Sequence, residues 1–301
     1  MASGIEWELY RAFLGVLREG SLSGAARALG VAQPTVGRHV AALEGALGLV
    51  LFTRSQTGLL PTEAAHALRG HAEAMESTAA ALERTASGWR DGPEAAAGTV
   101  RISVSEVVGV EVMPVIVADL GRQHPALKVE LVLSNRVHDL LQREADIAVR
   151  MTAPRQEQLV ARRVGSIELG LHASPDYLAR RGTPAVQDDL AAHALIGYDR
   201  PTPFVRQAAK ALPGYARERF AVRTDSDVAQ LALIRAGAGI GVCQVPLAVR
   251  GPPLVRVLAD AFTFRLDTWV TMHEDLRASP RCRVAFDALA AGLAVYAGGL
   301  A

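Results

Sequence analysis

The chain has 301 residues, half of them hydrophobic and 21% charged, which is enough apolar surface for ordinary globular cores and too much for a disordered chain. At roughly 150 residues per domain it is expected to form two compact units. Its 32 basic and 31 acidic residues leave a net charge of +1, from which no polybasic tail or membrane patch can be inferred, so any nucleic-acid contact must come from a local surface.

Residues 5 to 90 read as almost wholly helical. Phe13, Leu14, Val16 and Leu17 form an apolar stripe that Gly20 ends, and Ser21 and Ser23 can cap a second helix from Ala25 to Leu29, closed by Gly30. A third helix starts near Gln33, carries Pro34 in its first turn, where a missing N–H costs nothing, and runs to about Leu43. Leu49 to Phe52 and Leu59 to Pro61 suit a small hairpin with its tip near Ser55 to Gly58. Thr62 is a good cap for a long helix reaching about Trp89. Within that helix Leu68, Ala72, Met75, Ala79, Leu82, Ala86 and Trp89 recur at steps of four and three, the spacing of a two-helix seam, against the plainer reading of a stripe packed on its own domain.

Residues 91–98 carry Gly and Pro and read as a hinge. Beyond it short strands alternate with helices. Strands are expected at Val100 to Val104, Val129 to Leu133, Ile147 to Arg150, Leu169 to Ala173, Ala194 to Ile196, Ala221 to Thr224, Ile240 to Cys243 and Thr268 to Met272. Helices are expected at Pro114 to Arg122, Arg136 to Arg143, Asp227 to Ala236 and Pro280 to Tyr296. Such alternation predicts βαβ units and a mostly parallel sheet.

Two helices joined by a tight glycine turn, the second opening Gln-Pro-Thr, have the layout of a helix-turn-helix, whose second helix enters the major groove of double-stranded DNA. Val36, Val40 and Leu43 share one side of that helix and leave Thr35, Arg38, His39 and Ala42 outward; the alternative is a merely solvated face of a bundle.

From Phe13 to Leu68 the chain resembles the winged helix-turn-helix of the LysR-type transcriptional regulators. The resemblance is carried by Gly20-Ser21-Leu22-Ser23, Ala25-Ala26, Leu29, Gln33-Pro34-Thr35-Val36, Leu43-Glu44, Leu47-Gly48, Leu51-Phe52, Arg54 and Pro61-Thr62-Glu63-Ala64. It continues through Pro114, His124-Pro125, Val129-Glu130-Leu131, Ala145-Asp146-Ile147-Ala148 and the run from Ala236 to Gly241. It implies an all-α winged helix-turn-helix N-terminal domain with a long linker helix, followed by an α/β periplasmic-binding-protein-like effector domain of two subdomains. The implied limits are 1–61, 62–90 for the linker helix that dimerises, 91–98 for the hinge and 99–301 for the effector domain. Subdomain I would take about 99–162 and 266–301, and subdomain II about 163–265.

Ser23, Gln33, Pro34, Thr35, Arg38, His39 and, in the wing, Arg54 are the implied contacts to operator DNA; Leu68, Met75 and Leu82 are the implied dimer contacts. Three positions depart from the family pattern. Ala32 stands where a capping Ser or Thr is usual, Gly37 replaces a common Ser, and Ala65 replaces a usual Gly. Residues 1 to 60 hold five Arg against four Glu, so the field is weak and a homodimer or homotetramer is expected to supply affinity.

In open α/β sheets ligands sit at the carboxyl ends of strands. Those ends give Ser105, Glu106, Ser134, Asn135, Arg150, Thr224, Asp225 and Asp227 as the expected contacts to a small-molecule effector. Glu106, Asp225 and Asp227 point to a polar neutral or cationic effector, or to acids already paired with arginine.

The competing classes are an α/β enzyme and a cytoplasmic small-molecule-binding protein without a DNA role. Gly237, Gly239 and Gly241 lack dinucleotide-binding spacing and precede a strand. His172, Ser174 and Asp176 are too close in sequence for a catalytic relay and lack a nucleophile elbow. Cys243 and Cys282 and the eight histidines show no metal spacing. No catalytic residue, metal or cofactor is expected. Glu6 and Glu8 oppose a signal peptide and no run nears 18 apolar residues, so a cytoplasmic protein without membrane contact is expected.

Overall fold

The computed structural model describes residues 4–55, 58–90, 96–135, 145–154, 158–200, 203–212 and 215–298. They form two compact units, one reaching Glu83 and the other beginning at Arg84.

In the first unit α1 (Trp7–Glu19) buries Ala12 to Val16. Gly20 ends it in the left-handed region at φ 65°, donating its N–H to the Val16 carbonyl, a conformation glycine adopts without a Cβ clash. Ser21 accepts the Gly24 N–H at 3.1 Å and so caps α2 (Leu22–Leu29). The next helix, α3 (Gln33–Leu47), runs a turn past the expected end at Leu43 and stops at Gly48. Val36, Val40 and Leu43 enter a core shared with Phe13, Leu14 and Ala25.

A two-stranded wing follows, β1 (Phe52–Ser55) antiparallel to β2 (Gly58–Pro61), with Arg54 opposite Leu59. The first strand begins at Phe52 rather than Leu49, because the Glu44 carboxylate takes the N–H groups of Leu51 and Phe52 at 2.6 and 3.2 Å. Thr62 accepts the Ala65 N–H at 3.2 Å and donates to the Val50 carbonyl at 2.8 Å, which caps α4 (Glu63–Arg90). The α4 stripe divides. Ala72 is buried and Leu68, expected at an intersubunit seam, packs on the core of its own unit, whereas Met75 and Leu82 are 40% and 68% exposed. The Trp89 side chain lies outside the described residues. Arg18 grips the Glu76 carboxylate with both terminal nitrogens, at 2.9 and 2.5 Å.

The second unit begins β3 (Gly98–Val104), α5 (Glu106–Glu111), α6 (Met113–Gln123), β4 (Leu127–Leu133), β5 (Ile147–Arg150). The helix expected at Arg136 to Arg143 falls outside the described residues. Next come β6 (Leu159–Ala173), α7 (Pro175–Arg181), β7 (Leu195–Gly197), α8 (Pro203–Ala211) and β8 (Phe220–Arg223). After them stand α9 (Asp227–Arg235), β9 (Gly241–Gln244), α10 (Val245–Ala248), β10 (Val255–Val257), β11 (Phe264–His273) and α11 (Pro280–Ala297).

The main sheet has the order β10-β6-β11-β5-β3-β4, with β9 also on β6, and β7 pairs with β8 separately. It is mixed, which corrects the expectation of a mostly parallel sheet. Among the described strands β3–β4, β3–β5 and β7–β8 are parallel; β11 returns antiparallel along both β5 and β6. The strand β6 is far longer than the expected Leu169 to Ala173, and its residues feed two cores. Ile167 and Leu169 join Ile102, Val270 and Phe286, while Leu171 and Ala173 join Tyr177, Tyr215 and Phe262. The expected subdomain limits at 162/163 and 265/266 fall inside β6 and β11.

Candidate DNA-reading helix and ligand cavity

The recognition candidate is α3. Its inner face is locked by Val36 and Leu43, both fully buried, and by Val40. Its outer face carries exposed Gln33, Pro34, Arg38 and Ala42, with Thr35 and His39 half-buried beside them. Ser23 on α2 donates to Gln33 Oε1 at 3.3 Å, and Arg38 Nη2 reaches Thr35 Oγ1 at 3.5 Å. Arg54 stands exposed on the wing, whose second strand is pinned by the Leu59 N–H on the Gly20 carbonyl at 2.9 Å. A guanidinium, an imidazole, a hydroxyl and an amide are thereby offered on one unit, the groups that meet base edges and phosphates. At the start of α3, Ala32 supplies no side-chain cap.

The second unit encloses a cavity of about 440 Å³, within the ~300–1,000 Å³ of small-molecule sites. Of the expected residues, Ser105, Ser134, Asn135, Arg150, Asp225 and Asp227 line it. Glu106 and Thr224 are not among the lining residues. Glu106 Oε2 accepts the Ser226 hydroxyl at 2.9 Å and its N–H donates to Asn135 Oδ1 at 3.1 Å; Thr224 Oγ1 accepts the Ser226 N–H at 3.2 Å. Glu106 is spent on joining the starts of α5 and α9, and Thr224 on the turn that opens α9.

The acids at this site are engaged by protein donors. Asp225 accepts the N–H groups of Asp199 and Arg200 at 3.1 and 2.9 Å and pairs with the Arg200 guanidinium at 3.3 Å. Asp227 receives the Tyr198 hydroxyl on one oxygen and Asn135 Nδ2 on the other, the latter at 3.0 Å. Burial, and then the neighbouring Glu106 charge, push the Asp227 carboxyl above its ordinary range, and burial pushes the Tyr198 phenol well up. Arg150 donates to the Ser103 carbonyl at 3.1 Å, the Val149 carbonyl at 2.9 Å and Ser103 Oγ at 2.8 Å. The arginine pairing anticipated for the acids thus exists at Asp225, through Arg200.

Sequence reasoning missed Tyr198, Gln207, Gln230 and Gln244, and the apolar wall that includes Leu169, Val242, Phe264 and Leu266. Tyr198 and Gln244 follow the carboxyl-end rule, since each sits at or just beyond the end of a short strand. The wall belongs to antiparallel strands, which a parallel-sheet expectation could not place.

The residues weighed for catalysis have structural duties. His172 Nδ1 lies 2.9 Å from the Gly170 carbonyl, and burial holds its pKa down at about 4. Ser174 caps α7 by accepting the Tyr177 N–H at 3.2 Å. Gly239 lets the chain approach Ala194, whose carbonyl oxygen would lie 2.4 Å from a Cβ there. Among the described residues no group of three or more His, Cys, Asp or Glu is placed to hold a metal, and no helix is long and apolar enough to cross a membrane.

A winged helix-turn-helix followed by an α/β unit that holds a ligand-sized cavity defines the class of protein to which the chain is compared. The chain belongs to the LysR family: its residues 7–66 match the bacterial regulatory helix-turn-helix protein, lysR family, and residues 93–294 match the LysR substrate binding domain. It is 32% identical over 181 residues to an HTH-type transcriptional regulator of Xanthomonas campestris pv. campestris (strain 8004), covering 60% of this chain and 52% of that one. It is 29% identical over 189 residues to the HTH-type transcriptional regulator CrgA of Neisseria meningitidis serogroup C (strain 8013), covering 63% and 62%. The chain thus spans about half to three-fifths of the length of these relatives. The fold is shared with CbnR, a LysR family transcriptional regulator, at a TM-score of 0.68 and 19% identity over 95% of this chain and 99% of that one.

Proposed function

We propose that this protein is a sequence-specific regulator of transcription that binds operator DNA through α3 and the wing and is modulated by a small molecule held in the cavity of its second unit. The observation that carries the reading is the two-sidedness of α3: Val36, Val40 and Leu43 are buried while Gln33, Thr35, Arg38 and His39 stand at the surface of the same helix. CbnR, which shares the fold, has been solved in full length complexed with its target DNA. The exposed Met75 and Leu82 on α4 support assembly into a homodimer or a larger homo-oligomer, which doubles a weak DNA field. The reading includes no catalytic role, no cofactor and a cytoplasmic location, since the relatives matched are named as regulators and DNA is the target.

Footprinting the full-length protein on the DNA flanking its own gene tests this. A protected, sequence-defined site whose occupancy changes with a small molecule supports the reading; binding that treats operator and random DNA alike counts against it.

A further inference from the structure

The charged groups on the cavity wall, Arg150, Asp225 and Asp227, are engaged within the protein. Arg150 directs three hydrogen bonds at Ser103 and Val149. Asp225 takes the N–H groups of Asp199 and Arg200 on one oxygen and the Arg200 guanidinium on the other. Asp227 takes Tyr198 on one oxygen and Asn135 on the other. An entering anion also meets the Glu106 carboxylate, whose charge is felt at Asp227. A charged ligand of either sign would leave water without an uncommitted counter-charge to receive it, a cost that a neutral ligand escapes.

One polar group on the wall makes a fixed demand. Gln230 lies one turn after Asp227 on α9, is 3% exposed and lines the cavity. Its Nε2 donates to the Thr224 carbonyl at 3.0 Å. A carbonyl can only accept, so this bond settles which end of the amide is which. Oε1 is left as an acceptor, and it receives no hydrogen bond among the described residues. A buried acceptor of this kind favours a ligand that brings a donor and disfavours one that leaves it bare. The other polar groups are less exacting. The Ser105 hydroxyl turns to give or to accept, and Gln244 shares its amide with the Tyr296 hydroxyl, which can also do either. Much of the remaining wall is apolar, with Leu169, Leu231, Val242, Phe264 and Leu266.

We propose that the cavity takes an uncharged, largely apolar molecule whose hydroxyl or amide N–H donates to Gln230 Oε1. This rests on the reading of the second unit as an effector domain. Gln230 is then the specificity-determining residue, separating a donor from its alkylated counterpart, while the apolar wall holds the body of the ligand.

Isothermal titration of the full-length protein with four molecules on one skeleton tests it: 2-naphthylmethanol, its methyl ether, 2-naphthoate and 2-naphthylmethylamine. The alcohol is expected to bind about tenfold tighter than the ether, which lacks the donor, and tighter than either the anion or the ammonium. Gln230→Met keeps the length of the side chain and removes Oε1, so alcohol and ether are expected to bind it equally. The wild-type comparison alone decides the matter if the variant folds poorly. Equal affinity of the wild type for alcohol and ether, tighter binding of either charged molecule, or no binding of any of the four overturns the proposal. A charged molecule that binds the protein and alters operator occupancy overturns it and leaves the regulatory reading standing, whereas operator binding that no small molecule alters counts against the regulatory reading itself.

Discussion

The Glu44 carboxylate, in the last turn of α3, accepts the backbone N–H of the fully buried Leu51 at 2.6 Å, and its second bond to the Phe52 N–H ties that helix to the start of the wing. Glu44→Ala leaves the Leu51 donor buried and unpaired, at a cost of about 1–3 kcal/mol, and frees the wing from α3. Glu44→Gln keeps an acceptor and is expected to lose less. Urea unfolding of the two variants checks the order; equal losses would show that the carboxylate's reach to Leu51 does not support the fold.

The start of α3 is where the sequence can be improved. Ala32 makes no side-chain cap and Gly37 sits mid-helix with only Leu22 Cδ1 near, 3.7 Å from a Cβ built there. Ala32→Ser and Gly37→Ala are each expected to stabilise the protein by about 1 kcal/mol, the first by capping and the second by helix propensity. Amide hydrogen exchange across 33–40 reads the effect locally. Unchanged exchange in both variants would mean that tertiary packing already holds the helix end.

How much was legible follows from the range of each interaction. Helix ends set by Gly20, Ser21, Gly30, Pro34 and Thr62 were readable because caps are local, and the inner face of α3 was readable because Val36, Val40 and Leu43 keep helical spacing. The start of β1 was not, since it depends on Glu44 reaching across seven residues to Leu51. The antiparallel return of β11 was equally hidden: its partners Arg150 and Leu169 lie about a hundred residues earlier, and nothing within a single strand announces direction. The same long-range pairing explains why the apolar wall was missed, whereas Tyr198 and Gln244 sit at strand ends where the carboxyl-end rule reaches them and were overlooked.

The division of the α4 stripe separates fold from assembly. Leu82→Lys, at a 68% exposed position, is expected to leave unfolding of the protomer unchanged and to shift sedimentation toward monomer, with operator affinity falling in parallel. Leu68→Ala, which packs on the first unit's core, is expected to destabilise the fold instead, by about 2 kcal/mol or more. An intact dimer in Leu82→Lys would move the interface elsewhere.

His172 gives the protein an acid sensitivity. It is 1% exposed, and burial, aided by the Arg256 charge, depresses its pKa from 6.5 to about 4. Below 6.5 the unfolded chain takes up a proton that the folded chain refuses. Its contribution is therefore complete above pH 6.5, falls as the pH drops, and levels off below about 4. The loss is on the order of 3 kcal/mol, at ~1.36 kcal/mol per pKa unit. In His172→Gln the part of the slope between pH 6.5 and 4 due to this residue disappears; identical pH profiles for wild type and variant would contradict the assignment.

Salt-titrated fluorescence anisotropy on operator and random duplexes tests most directly whether the outer face of α3 reads DNA sequence. Thr35→Ala and His39→Ala are expected to cost about 1–3 kcal/mol on the operator and little on random DNA. Arg54→Ala should weaken both duplexes alike and flatten the salt slope by about 0.9 for each phosphate that is no longer neutralised. Equal losses on operator and random DNA for Thr35→Ala and His39→Ala would contradict the account and leave α3 without a reading role.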